Sequence, residues 1–102
     1  MEARKIIITG GATRIGAAIA EKLSGPNKEI TIHYNQSKSK AERLKKTLQK
    51  IGTIVHLVKG DLSKERDIHK IVKFSKSKMK FFDCLINNAS LFENDKLENF
   101  SS

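Results

Sequence analysis

The residue types best suited to binding chemistry lie in TGGATRIG, residues 9–16, where an apolar run changes into a helical pattern. A parallel strand that passes into a helix directs unpaired N–H groups and the positive end of the helix dipole beyond the sheet, where an anion binds readily. Glycine is required at Gly10 and Gly16 because a side chain would block the tight turn, keep a pyrophosphate away or separate helix from strand. Glycines also end strands for conformational reasons alone, but the alternating strands and helices around this turn favour a nucleotide-binding site.

The end of the second predicted strand, HYNQSKSK at residues 33–40, contains no acidic residue. A site for NAD usually has Asp or Glu there, about 20 residues past the glycine turn, to accept a hydrogen bond from the ribose 2′-hydroxyl. A carboxylate would repel a 2′-phosphate, whereas the donors in this stretch suit one. These donors are His33, Asn35, Ser37 and Lys38 or Lys40. The sequence therefore predicts NADP(H) as the cofactor.

Four apolar runs and three helical patterns must position these residues. The predicted strands are residues 5–9, 29–34, 53–58 and 81–86. The predicted helices carry apolar residues at three- and four-residue spacing over 15–23, 41–51 and, capped by Ser63, 68–79. The alternation predicts an α/β fold, a Rossmann-type doubly wound parallel sheet with helices on both faces. Because the chain winds outward from the first strand and then crosses back, the expected strand order is 3-2-1-4.

The composition suits one basic domain. The chain has 102 residues, which fits a single domain over 1–102, and its 20 Lys and Arg against 11 Asp and Glu give a formal charge of +9. Most lysines fall at 38–50 and 64–80, interleaved with apolar residues at helical spacing, which favours solvated helix faces. A nucleic-acid-binding surface is the alternative, but few aromatic residues are present to stack on bases and no nucleic-acid motif is found.

Other residue types argue against further classes of site. The single cysteine, Cys84, cannot form an internal disulfide and is predicted to pack as a small apolar residue. His33 and His56 stand alone in predicted strands, without the spacing of a metal site. No apolar run approaches the roughly 20 residues that span a bilayer, and residues 1–8 lack the features of a signal peptide. The expectation is a cytoplasmic protein that binds neither metal nor membrane.

Three short motifs, in order along the chain, resemble those of the short-chain dehydrogenases and reductases. TGGATRIG (9–16) resembles their Thr-Gly-x-x-x-Gly-x-Gly cofactor turn, GDL (60–62) their adenine-contacting turn, and NNAS (87–90) their Asn-Asn-Ala-Gly. The motifs span essentially the whole chain but only the first half or less of a typical member. The resemblance implies an oxidoreductase that binds NADP(H). The positions assigned to the cofactor, including the end of the second strand, are Gly10, Arg14, Ile15, Gly16, His33, Tyr34, Asn35, Gln36, Ser37, Asp61, Leu62, Asn88, Ala89 and Ser90.

Two departures from the family pattern are similar to the pteridine reductase branch. Arg14 replaces the middle glycine of the turn, and Ser90 replaces the last glycine of Asn-Asn-Ala-Gly. HYNQS (33–37) and Phe92 also resemble that branch, although Gln36 stands where it often has arginine. The resemblance implies that Arg14 contacts the cofactor phosphates and a bound pterin, that Ser90 lies near nicotinamide and substrate, and that Phe92 stacks on the pterin ring. An exposed Arg14 and a merely packing Phe92 are the alternatives.

The family's catalytic residues are not assigned in this chain. Its chemistry uses a serine and a tyrosine with a lysine four residues later. Tyr34 and Lys38 have this spacing, but they are rejected as the catalytic pair because they are expected at the adenine end of the site and not at the nicotinamide end. The interpretation is the cofactor-binding part of a short-chain reductase whose complete form transfers hydride from NADPH to a pterin or carbonyl substrate. A non-catalytic nucleotide-binding or interaction module is the alternative. With no later strands to cover it, the apolar run 81–86 is expected to be an exposed edge. The prediction is self-association through this fourth strand or the third helix, or poor solubility.

Overall fold

The structure, a computed structural model, describes residues 4–88, which form four parallel strands and three helices. The elements alternate along the chain as β1 (Lys5–Thr9), α1 (Arg14–Leu23), β2 (Glu29–Tyr34), α2 (Lys38–Ile51), β3 (Ile54–Lys59), α3 (Glu65–Met79) and β4 (Cys84–Asn87). The strand order is β3-β2-β1-β4, so β1 has a neighbour on each side. The predicted α/β class and the order 3-2-1-4 are confirmed.

One face of the sheet is covered by α1 and α2. The isoleucines at alternate positions of the two central strands, Ile6, Ile8, Ile30 and Ile32, are at most 1% exposed and belong to one core cluster with Leu48 of α2. Burial of each such side chain contributes about 1.5–3 kcal/mol relative to an exposed position. This packing brings the start of α1 to the carboxyl end of β1.

The opposite face of the sheet is covered by α3. Thr31, which lies between the two core isoleucines of β2, is fully buried, and its hydroxyl contacts the Met79 sulfur at 3.7 Å. Ile71 of α3 is 3% exposed. Helices therefore lie on both faces, as the doubly wound arrangement requires.

The basic residues of α2 lie on its exposed side, as their spacing predicts. The buried positions of this helix are Ala41, Leu44 and Leu48, whereas Lys38, Lys40, Arg43, Lys46 and Lys50 are exposed. Within residues 4–88, none of the helices has the length and apolar character needed to cross a bilayer.

The start of α3 differs from the sequence prediction. The helix begins at Glu65, and its N-cap residue Lys64 makes no side-chain cap hydrogen bond. Ser63 instead donates its N–H and its hydroxyl to one carboxylate oxygen of Asp61, at 2.9 and 2.7 Å. The prediction that Ser63 caps the helix is wrong, because Asp61 holds the serine in the turn that precedes it. Glu65 and Asp67 place negative charge at the positive end of the helix dipole.

Two strand boundaries also differ from prediction. The fourth strand begins at Cys84 rather than at residue 81, because α3 runs to Met79 and Lys80, with φ 70°, starts the reversal that the next residues complete. The third strand covers 54–59 rather than 53–58. Thr53 is held outside it by its hydroxyl, which contacts both the N–H and the carbonyl of Gly25, at 2.8 and 3.0 Å.

Among the described residues, β4 pairs with β1 alone and so lies at an edge of the sheet. Cys84 is a free, half-buried thiol that packs against the core beside Ile86, as predicted for a small apolar residue. Leu85, on the other side of the strand, is 53% exposed. Self-association through this edge stays a prediction.

Asp83 joins the beginning of β4 to the beginning of β1. Its carboxylate accepts hydrogen bonds from the N–H groups of Arg4 and Lys5 at 2.9 and 2.8 Å, and its own N–H donates to the Lys5 carbonyl at 2.7 Å. The two N–H donors hold the pKa of Asp83 below its ordinary value, because they stabilise the charged carboxylate. The interaction therefore adds stability above the ordinary carboxyl pKa and loses it as the pH falls.

We expect Asp83→Asn to lower the urea midpoint at pH 7. The free energy of unfolding of this variant should also depend less on pH in the acidic range. The wild-type advantage should shrink as the pH falls from about 4, where Asp83 takes up a proton in the unfolded chain, through the lower pKa that it has in the folded protein. Urea unfolding at a series of pH values checks this, with Glu42→Gln, an exposed position on α2, as the matched control. An advantage that stayed constant down to about pH 2 would contradict the role given to the Asp83 charge.

Candidate functional site

The glycine turn between β1 and α1 is held by Thr13, the N-cap residue of the helix. Gly10 has φ 64°, a conformation that favours glycine, and its carbonyl accepts from the Thr13 N–H at 3.1 Å and from the Thr13 hydroxyl at 2.8 Å. The same hydroxyl oxygen accepts from the Gly16 N–H at 3.1 Å. The role of Thr13 was not predicted from the sequence, although a threonine directly before the first helical residue is a recognised N-cap signal.

The first turn of α1 provides the candidate anion-binding groups. The first hydrogen bond of the helix runs from the Ala17 N–H to the Thr13 carbonyl at 2.8 Å, so the N–H groups of Arg14 and Ile15 precede it and point out of the helix end. Both side chains are exposed, and Ile15 reaches 48%. A helix N-terminus with two first-turn donors that have no partner within residues 4–88, beside an exposed guanidinium, is suited to a pyrophosphate.

Close packing explains why Gly16 is glycine. A Cβ atom at this position would lie 2.2 Å from the Gly10 carbonyl oxygen, 2.7 Å from the Gly11 Cα and 2.9 Å from the Asn88 side-chain nitrogen. At Gly11, a Cβ would lie 2.7 Å from a methyl carbon of Ile32. The sequence prediction that Gly16 allows close approach of helix and strand is consistent with this packing, and the Gly11 contact is one that the sequence analysis did not consider.

Asn88, directly after β4, connects the third motif to the glycine turn. It is 1% exposed, and its side-chain NH₂ donates to the Gly10 carbonyl at 3.0 Å and to the Thr13 hydroxyl oxygen at 3.1 Å. The side-chain oxygen of the preceding residue, Asn87, accepts a hydrogen bond from the Thr9 hydroxyl at 3.0 Å. The Asn88 Oδ1 atom is buried and has no hydrogen-bond partner within the described part of the chain. The Gly10 and Asn88 turns therefore meet at the carboxyl ends of β1 and β4.

His33 does not occupy the position that the sequence analysis assigned to it. The residue is 2% exposed, and its Nδ1 accepts from the Gly10 N–H at 3.0 Å while its Nε2 lies 2.7 Å from the Gly60 carbonyl oxygen. Both ring nitrogens are thus bound to backbone groups, and the ring has no donor left for a phosphate. The predicted direct contact of His33 with the cofactor is therefore inconsistent with the geometry, because the ring points into the protein between two turns.

The residues after His33 lie at the surface. Tyr34 ends β2 half-buried, and its carbonyl accepts from the Gly60 N–H at 3.1 Å. Asn35, Gln36 and Ser37 are exposed, and Ser37, the N-cap residue of α2, makes no side-chain cap hydrogen bond. These polar groups face solvent at the carboxyl end of β2, next to the glycine turn in the sheet order.

The turn after β3 contains the second motif. The Asp61 N–H donates to the Asp67 carboxylate at 2.8 Å, and the Asp61 carboxylate accepts from Ser63. Leu62 is half-buried and lines an apolar cavity of about 260 Å³ between α3 and the sheet. Contacts of Asp61 and Leu62 with adenine stay predictions. Ala89, Ser90 and Phe92 lie outside the described residues, so their predicted roles do too.

Comparisons with known proteins agree with this geometry. Residues 4–102 match the family described as short chain dehydrogenase. The chain is similar to YtkK of Bacillus subtilis, with 30% identity over 96% of this chain and 39% of that protein. It is also similar to the short-chain dehydrogenase/reductase homolog YusS of the same species, with 31% identity over 83% of this chain and 78% of that protein. The structure is similar to that of FolM alternative dihydrofolate reductase 1 from Brucella canis complexed with NADP, with a TM-score of 0.73, 31% identity, and coverage of 83% of this chain and 34% of that chain.

The chain spans 39% of the length of YtkK and 34% of the FolM chain, so it corresponds to little more than a third of these proteins. Because the family match extends over residues 4–102, the chain belongs to the short chain dehydrogenase family and contains its nicotinamide-dinucleotide-binding region.

Proposed function

We propose that residues 1–102 form one NADP(H)-binding unit of a short-chain reductase, and that the complete enzyme transfers hydride to a pterin or carbonyl substrate. The observation that carries this proposal is the start of α1, where Thr13 and the glycine turn leave the N–H groups of Arg14 and Ile15 pointing out of the helix end. The family match does not favour the alternative of a non-catalytic interaction module.

The proposed preference for NADP(H) rests on the carboxyl end of β2. No acidic side chain occurs in residues 33–40 to accept from a ribose 2′-hydroxyl. Ser37, Lys38 and Lys40 are exposed donors in this stretch, and they take the place that the sequence analysis also gave to His33. The structurally similar FolM protein is described as a complex with NADP, which supports the same preference.

A pterin substrate is supported by two features. The FolM protein is described as a dihydrofolate reductase, and dihydrofolate contains a pterin ring. Arg14 is exposed at the start of α1, where one guanidinium can reach both an anionic cofactor and a ligand beside it. Ser90 and Phe92 would complete this contact under the proposal.

The residues of this chain would bind and orient the cofactor. NADPH, when bound, supplies the hydride. The first-turn N–H groups and the Arg14 guanidinium would donate to its pyrophosphate, and the donors after β2 would bind its 2′-phosphate. The proton that accompanies hydride would come from family residues that are not assigned in this chain, since Tyr34 ends β2 and Lys38 begins α2, beside the proposed 2′-phosphate site and not beside the nicotinamide.

We expect the purified chain to bind NADPH more tightly than NADH, because only NADPH offers a 2′-phosphate to the donors after β2. Isothermal titration calorimetry of both dinucleotides against the same preparation measures this. Equal affinity, or tighter binding of NADH, would contradict the proposed cofactor preference. Loss of binding with added polyanion, without selectivity between dinucleotides, would indicate the nucleic-acid alternative instead.

Arg14→Ala should weaken NADPH binding by roughly 10- to 150-fold, the effect of losing a charge-assisted hydrogen bond of about 1.5–3 kcal/mol. Lys22→Ala is the matched control, because it removes the same charge from the last turn of the same helix. Calorimetry of both variants separates a local contact from a change in net charge. Equal affinities for the two variants would return Arg14 to the role of an exposed surface residue.

We also propose that the chain self-associates through the β4 edge, where Leu85 is exposed. Sedimentation velocity is expected to show species heavier than the monomer, and Leu85→Lys should reduce them by placing a charge on the edge. A stable monomer at high concentration, with β4 protected from amide exchange, would overturn this proposal.

A further inference from the structure

We propose that His33 is a positioning residue for the dinucleotide site, which holds the glycine turn only as a neutral ring, so that protonation of His33 weakens cofactor binding. The inference rests on the proposed dinucleotide-binding function. It assigns to His33 a role that differs from the direct phosphate contact predicted from the sequence.

The ring of His33 connects the glycine turn to the turn after β3. Its Nδ1 is 3.0 Å from the Gly10 nitrogen, and its Nε2 is 2.7 Å from the Gly60 carbonyl oxygen. The Gly10 N–H can only donate, so Nδ1 must be the unprotonated acceptor, and the proton lies on Nε2, where it is donated to Gly60. Only the neutral Nε2–H tautomer satisfies both contacts.

Backbone hydrogen bonds place the ring in this position. The Gly11 N–H donates to the His33 carbonyl at 3.0 Å, and the Gly60 N–H donates to the Tyr34 carbonyl at 3.1 Å. His33 thus receives the N–H groups of two successive turn residues, one through its ring and one through its carbonyl. With Asn88 bound to the Gly10 carbonyl on the other side, the residue that precedes the anion-binding turn is fixed at both its N–H and its C=O.

Protonation is incompatible with this arrangement. An imidazolium carries a proton on Nδ1, which would face the Gly10 N–H, so two donors would point at each other in a buried place. The turn would have to move to relieve this contact, and α1 begins only four residues later. A shift of Gly10 would therefore displace the first-turn N–H groups that are proposed to bind the pyrophosphate.

The surroundings favour the neutral ring. Burial lowers the pKa of His33 from its ordinary value of 6.5, and the hydrogen bond to the Gly60 carbonyl acts in the opposite direction with a smaller effect. The titratable groups on the elements around the ring are Tyr34 beside it on β2, Arg14 at the start of α1, Lys59 and Asp61 on either side of Gly60, and Asp67 of α3. Because the folded-state pKa of His33 is lowered, the hydrogen bond between the Gly10 N–H and the neutral ring is favoured above pH 6.5. This stabilisation is lost as the pH falls through the folded-state pKa.

The test compares the pH dependence of NADPH binding in the wild type, His33→Asn and His33→Leu. In the asparagine variant, the side-chain carbonyl oxygen would be bonded to Cγ, as Nδ1 is in histidine, and could accept from Gly10 without titrating, whereas leucine removes the acceptor. The 2′-phosphate of NADPH itself titrates at about pH 6, but it does so equally for all variants. Calorimetry between about pH 8 and pH 5.5 should show a loss of affinity in the wild type that exceeds that of His33→Asn by about fivefold.

His33→Leu should bind NADPH more weakly than the wild type at about pH 8, where the wild-type ring is neutral. His56→Asn and His69→Asn should keep the wild-type pH profile, which excludes the other two histidines. Urea unfolding shows which variants are folded. If His33→Leu does not fold, the comparison with His33→Asn and the nuclear magnetic resonance signals of the wild-type imidazole at the same alkaline pH, which report the tautomer directly, still decide the matter.

Three results would overturn the inference. The first is an Nδ1–H tautomer at alkaline pH, and the second is the same pH profile for the wild type and His33→Asn. In both cases binding at alkaline pH would leave the proposed function standing. The third, no binding of NADPH or NADH to the folded wild type at that pH, would overturn the proposed function and with it this inference.

Discussion

The carbonyl oxygen of Gly10 accepts hydrogen bonds from the Thr13 N–H, the Thr13 hydroxyl and the Asn88 amide, at 3.1, 2.8 and 3.0 Å. A carbonyl oxygen has two lone pairs, so these three donors must share them and no acceptor capacity is left. Gly16 packs against the same oxygen so closely that a methyl group would lie 2.2 Å from it. The start of α1, and hence the direction of its first-turn N–H groups, depends on where this one oxygen is held.

Burial makes these polar contacts specific. The sheet centre is rich in isoleucine, and any apolar residue of similar size could fill much of it. At the carboxyl ends of the strands, by contrast, Thr9, His33 and Asn88 are buried polar residues, and a buried polar group without a partner costs about 1–3 kcal/mol. The apolar layer thus holds the helices on the sheet, while the polar groups at the strand ends set one arrangement of the turns. The Asn88 Oδ1 atom, by contrast, is buried without a hydrogen-bond partner among the described residues, and it lies beside the proposed ligand site.

The sequence contained enough information to predict the fold class and the strand order, because the alternation of apolar runs with helical stripes leaves few topologies for a parallel sheet. Gly10 and Gly16 could also be placed, since their spacing between a strand and a helix has a direct geometric meaning. The orientation of His33 could not be predicted. Alternation along a strand shows which face of the sheet a side chain takes. Whether a histidine at the end of a strand faces solvent or binds two backbone turns depends on residues far away in sequence. Ser63 was misassigned for a similar reason, because the local competition from Asp61 is not visible in a helix-capping pattern.

The contacts that join β1 to the end of the described chain have a consequence for the order of folding. Asp83 binds Arg4 and Lys5, and Asn88 binds Gly10, across separations of 78 or 79 residues. During synthesis, the glycine turn therefore emerges long before the side chain that fixes its carbonyl. Closing so long a loop is entropically unfavourable and slow, and it is compensated only when β4 pairs with β1. In a ribosome-bound chain that has reached only α3, the glycine turn would still be incomplete, because β4 and Asn88, which fix it, are synthesised after that helix.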